Sequence, residues 1–145
     1  MQPESYMKHP ENEPVVVSIP EGAKIDISGT TNADFHQRVT IKEIGKDDSY
    51  IFEGHGESAV MNLKTGGNRL AVERATGSGL RTWTFDFENS ENQQEYRHSK
   101  VLRPVYKTVY NNDYKVSKME WEIVSEDNVD DDYNDAIIHI VADFE

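Results

Sequence analysis

From residue 15 onward, apolar and polar side chains alternate with a period of two, the spacing that puts every second residue on one face of a strand. Val15-Val16-Val17-Ser18-Ile19 opens the pattern, and Ile25 and Ile27 continue it between polar neighbours. Val39, Ile41 and Ile44 follow, then Tyr50-Ile51-Phe52 beyond a Gly45-Lys46-Asp47-Asp48 turn. Thr82-Trp83-Thr84-Phe85-Asp86-Phe87 alternates strictly, as do Met119, Trp121 and Ile123 with their polar neighbours. Both tryptophans therefore read as core residues. Gly54-His55-Gly56, Gly66-Gly67, Gly77-Ser78-Gly79 and Asn111-Asn112-Asp113 read as turns. Val101 to Val109 reads as one strand interrupted by Pro104, which has no N–H to donate and so belongs at a sheet edge. A 3.6-residue apolar period is only weakly visible, around Glu57–Leu63. Many short strands at this spacing predict an all-β fold, an antiparallel Greek-key β-sandwich.

Residues 1–14 are polar and hold three of the five prolines, with almost nothing to bury. They read as a flexible N-terminal tail, leaving 15–145 as one domain with enough chain for a core. The net charge of −12 argues against nucleic acid and anionic membrane surfaces, which attract Lys and Arg clusters. Without cysteine there is neither a disulfide nor a thiolate metal site. No apolar stretch approaches the roughly 20 residues of a membrane span, and no signal peptide is visible, so a soluble protein is expected.

The chemistry concentrates in one place. Glu126-Asp127-Asn128-Val129-Asp130-Asp131-Asp132-Tyr133-Asn134-Asp135 carries six carboxylates directly before the apolar run Ala136-Ile137-Ile138-His139-Ile140-Val141. Like charges so close repel each other, and a hard cation removes that cost. Calcium takes about 6–8 oxygen ligands at roughly 2.3–2.6 Å in irregular geometry, which suits crowded carboxylates. The acidic groups outnumber what one calcium needs, and bridging carboxylates allow two. An EF-hand fails: Asp130, Asp132 and Asn134 fall at positions 1, 3 and 5, but Asp135 stands where Gly belongs and Val141 where Glu belongs. The flanks are also strand-like rather than helical.

Glu126-Asp127, Asp130, Asp132-Tyr133-Asn134-Asp135-Ala136 and the apolar strand that follows resemble the two-calcium bacterial lectins of the fucose-binding lectin II type. Val17-Ser18-Ile19-Pro20, the strand through Ile27, Asn32 and the strand from Val39 to Ile41 are similar to the family's opening. The resemblance covers residues 15–44 and 117–145. It implies a calcium-dependent lectin that binds the monosaccharide or terminal sugar of a fucose- or mannose-like glycan. Asn32, Glu126, Asp130, Asp132, Asn134 and Asp135 would hold two adjacent Ca2+ ions, with Asp132 and Asp135 bridging both. The C-terminal carboxylate of Glu145 would reach the site of a partner subunit in a homodimer or dimer of dimers. Asn32, Ala33, Asp34, Phe35, Asp127, Asp130, Asp132, Asn134 and Asp135 would meet the sugar, with Asp127 accepting a hydroxyl hydrogen bond. Ala33-Asp34-Phe35 stands where the family has three small residues, leaving the preferred sugar open.

Other chemistry is poorly supported. His9, His36, His55, His98 and His139 show no zinc-binding spacing, and His139 reads as a core or interface residue. No phosphate loop or serine-nucleophile elbow is present. A glycosidase needs one carboxylate kept protonated, whereas calcium would hold these ionised, so the chain reads as a non-enzyme. The competing binding reading is a structural or adhesion module in which calcium only stiffens the loop.

Overall fold

The structure is a computed structural model that describes residues 8–10, 13–126 and 135–145. The described residues form eleven strands and no helix: β1 (Val15–Pro20), β2 (Lys24–Glu43), β3 (Ser49–Val60), β4 (Asn62–Leu63), β5 (Arg69–Val72), β6 (Leu80–Ser90), β7 (Arg97–His98), β8 (Lys100–Val101), β9 (Val105–Tyr110), β10 (Val116–Glu126) and β11 (Ala136–Asp143). All pairings are antiparallel. The β-sandwich expected from the alternation is present.

One strand joins the two layers. The first part of β2, residues 24–31, lies between β11 and β5, and β11 in turn pairs with β10. The last part, residues 36–43, lies between β6 and β3, and β6 pairs with β1. The sheet curls so that both parts cover a single core. Ile25 and Ile27 from the first part share it with Val39 and Ile41 from the last. Trp83 and Phe85 of β6 and Ile138 and Ile140 of β11 complete its centre, each no more than 1% exposed. Burying such a side chain contributes roughly 1.5–3 kcal/mol.

The expected turns at residues 45–48, 66–67 and 111–113 lie between strands, with Gly45 at a φ of 89° that a side chain would resist. Gly54-His55-Gly56 is a correction: it lies within β3, opposite an irregular stretch of β2 with register shifts between Thr31 and Ala33 and between Ala33 and Gln37. The weak helical signal around 57–63 also gives way to the end of β3 and to β4. Pro104 splits its segment into β8 and β9, and among the described residues β9 pairs with β10 alone. Within the polar N-terminal stretch, Lys8 bridges Leu102 and the His9 N–H donates to the Val101 carbonyl at 2.8 Å. His139 is not a core residue. It stands on the outer face of β11, exposed, 3.7 Å from the Glu122 carboxylate.

Candidate functional site at one end of the sheet

Three neighbouring strands bring together residues far apart in sequence. Register places Ser125 of β10 opposite Ala136 of β11, and Ala136 opposite Thr31 of β2. The next residue on each strand therefore meets at one end of the layer: Glu126, Asp135 and Asn32. The backbone ties them. The Asn32 N–H donates to the Asp135 carbonyl at 3.1 Å, and the Asp135 N–H donates to the Ser125 carbonyl at 3.1 Å. Ser125 Oγ adds a bond to the Ala136 carbonyl at 3.3 Å.

Both acids are buried, Glu126 at 0% and Asp135 at 5% exposure. Two carboxylates taken out of water at adjacent strand ends are costly, by several kcal/mol per ion, unless positive charge or hydrogen bonds compensate. They flank residues 127–134, so Asp127, Asp130, Asp132 and Asn134 lie outside the described residues. Among the described residues, no group of three or more His, Asp or Glu side chains is arranged to hold a metal ion. Glu126, Asp135 and the amide of Asn32 form an oxygen-rich set that fits a hard cation such as calcium and offers nothing to a soft one.

Asn32 is fixed from its other side too. Its Oδ1 accepts a hydrogen bond from the Ser58 N–H at 2.9 Å. Ser58 has a φ of 49°, in the left-handed region, and this turns its N–H toward β2. Nothing in the sequence marks Ser58, because it acts through its backbone.

Beyond Asn32 the strand departs from regular pairing. Ala33 is buried, Asp34 is exposed, and Phe35 and His36 are half-buried. Ala33 thus turns its methyl inward, leaving Asp34 and Phe35 as the side chains at the surface. The His36 and His55 rings lie 4.3 Å apart, and Gln93 Nε2 is 3.0 Å from His36 Nδ1. Burial holds His36 below the ordinary histidine range; His55 pushes the same way and Glu53 opposes.

Glu145 lies elsewhere in the chain. Its N–H donates to Asp143 Oδ1, its carboxylate accepts from Asn111 Nδ2, and its carbonyl accepts from Arg74. It follows the far end of β11, whose eight residues span roughly 25 Å from the Asp135 end. One copy therefore does not bring Glu145 to its own Asn32.

Residues 17–143 match the model of the family described as fucose-binding lectin II (PA-IIL). No curated protein matches the chain by sequence. Among solved structures, the C-terminal domain of the BC2L-C lectin from Burkholderia cenocepacia superposes with a TM-score of 0.61 at 20% identity, covering 91% of this chain and 97% of that one. The Chromobacterium violaceum lectin CV2L, in complex with alpha-methyl-fucoside, gives 0.59 at 20% identity, covering 87% and 93%. The Ralstonia solanacearum high-affinity mannose-binding lectin gives 0.55 at 21% identity, with the same coverage. Identities this low speak for a common fold.

Proposed function

The chain belongs to the fucose-binding lectin II family, and from that membership we propose that it is a non-enzymatic, calcium-dependent lectin for fucose- or mannose-type sugars. The observation that carries the reading is the burial of Glu126 and Asp135 beside Asn32 at the two roots of the acidic run. A bound cation would stabilise carboxylates buried at this point.

In this reading Asn32, Glu126, Asp130, Asp132, Asn134 and Asp135 hold two calcium ions. Bound calcium would supply positive charge to vicinal sugar hydroxyls, which are weak ligands for a cation on their own. The chain's own groups do the rest. Asp127 and neighbouring carboxylates accept charge-assisted hydrogen bonds from the hydroxyls, and Asp34 and Phe35 border the sugar. The complex of CV2L with alpha-methyl-fucoside and the mannose-binding Ralstonia lectin support a monosaccharide of this class.

A second copy is part of the proposal. Glu145 lies beyond one end of β11 and Asp135 precedes the other, so a two-fold axis near the strand's middle would bring Glu145 of each copy to the other's site. This is an isologous arrangement, in which both copies use the same surface.

The test is calorimetric titration of fucose and mannose, first with calcium and then after chelation. Binding that requires calcium supports the lectin and ranks the sugars. No binding in either state, with calcium still raising the melting temperature, favours a structural module and overturns direct coordination of sugar.

A further inference from the structure

Two buried amides lie opposite each other beneath the segment that follows Asn32. Gln37 of β2 pairs in register with Asn89 of β6, and their exposures are 1% and 0%. Each holds a residue of the surface above. Gln37 Nε2 donates to the Phe35 carbonyl at 3.1 Å. Asn89 Oδ1 accepts from Arg97 Nε at 3.4 Å, while Asn89 Nδ2 donates to Ser99 Oγ at 2.9 Å. The Ser99 N–H donates to the Phe87 carbonyl at 2.9 Å, so the β7 segment is anchored just after Arg97 by both the backbone and the side chain of Ser99. On top, the Arg97 guanidinium carbon lies 5.9 Å from the centre of the Phe35 ring, within cation–π range.

Unlike the half-buried Arg38 and Arg81, Arg97 has no carboxylate partner among the described residues. Arg38 pairs with Glu88, Arg69 with Asp26 and Arg81 with Glu43. Among the described residues, no carboxylate lies within ion-pair distance of Arg97, although the chain carries a net −12. Asn89 takes Nε, and neither terminal nitrogen of the exposed side chain has a hydrogen-bond partner among the described residues. A planar guanidinium presents paired donors that match a carboxylate or a sulfate in fork geometry.

Resting on the lectin reading above, we propose that Arg97 is a specificity-determining residue: it selects glycans that carry a carboxylate or sulfate on the sugar next to the one held at Asn32. Phe35 is three positions beyond Asn32, so a group over its ring sits beside the primary sugar rather than on it. The Asp34 carboxylate in the same segment opposes an anion. The selection therefore depends on Arg97 and reverses without it.

The experiment compares calcium-loaded protein with methyl fucoside, methyl mannoside and disaccharides of the better sugar. In these the second unit is neutral, a hexuronate, or a sulfated hexose. At low salt the wild type should favour the anionic over the neutral disaccharide by about three- to fivefold, as expected for one exposed ion pair. The preference should shrink at high salt, drop to one or below in Arg97→Gln, and persist in part in Arg97→Lys. A preference for only one of the two anions also supports the proposal and names the source of the charge. Equal binding of neutral and anionic disaccharides by the wild type, or a preference that survives Arg97→Gln, overturns it. Failure of both methyl glycosides to bind overturns the lectin reading itself, so the two failures are distinct.

Discussion

The backbone N–H of Asn32 reaches the carbonyl of Asp135 across the end of the β2–β11 pair, at 3.1 Å. Both residues therefore sit at fixed positions set by strand register rather than by loop conformation. The candidate site is built on the ends of three strands, two of which flank the acidic run in sequence.

Asn32→Ala should lower stability by about 1 kcal/mol, since the Ser58 N–H loses its acceptor at a partly exposed position. It should also weaken calcium binding. Thermal melts with and without calcium separate the effects: the stabilisation by calcium should be smaller in the variant than in the wild type.

Asp132→Ala should abolish calcium and sugar binding together while the far-ultraviolet circular dichroism stays that of a β protein. Sugar binding retained in this variant, measured by calorimetry, would remove the paired-calcium mechanism.

Asp34→Ser and Phe35→Gly should change the ratio of fucose to mannose affinity with calcium binding intact. Titration of each sugar against each variant is the measurement. An unchanged ratio in both would mean that the segment after Asn32 does not border the sugar.

Stability should fall as the pH drops. His36 is held below its ordinary value of 6.5 by burial first and by His55 second, against Glu53. The unfolded chain therefore binds more protons than the folded one as pH falls through the unfolded value, and unfolding is favoured. Melting temperatures between about pH 7.5 and 5.5 should decline, and less steeply in His36→Asn.

Arg81 and Glu43 make a two-pronged pair, Nε to Oε2 and Nη2 to Oε1, both at 2.9 Å, with side chains only 11% and 12% exposed. Arg81→Met should cost about 2 kcal/mol by leaving a nearly buried carboxylate alone. Adding Glu43→Leu should recover most of that loss. Chemical denaturation of the single and double variants tests it.

The strands were legible where alternating residues were large and apolar. Trp83, Phe85 and Phe87 all proved buried, as did Trp121 and Ile123. The continuity of β2 was hidden because its inward positions between Ile27 and Val39 are Gly29, Thr31, Ala33 and Gln37. These keep the same parity without the apolar signal. The acids were legible because carboxylate density is a property of sequence. The Gln37–Asn89 pairing was not, since register across β2 and β6 is a product of folding. Of the two readings given to His139, core or interface, the core one fails for a related reason: an outward residue on a strand reads as buried when apolar residues flank it.

Among the described strands, β11 is the last in the chain yet occupies an interior place, between β2 and β10. Until residue 143 has left the ribosome, both neighbours present unpaired edges, with no backbone partner to close them. A sheet with this strand order is expected to be completed by insertion rather than by growth at its margin. Its slowest step should be the arrival of this last strand, with the protection of β2 and β10 amides appearing together.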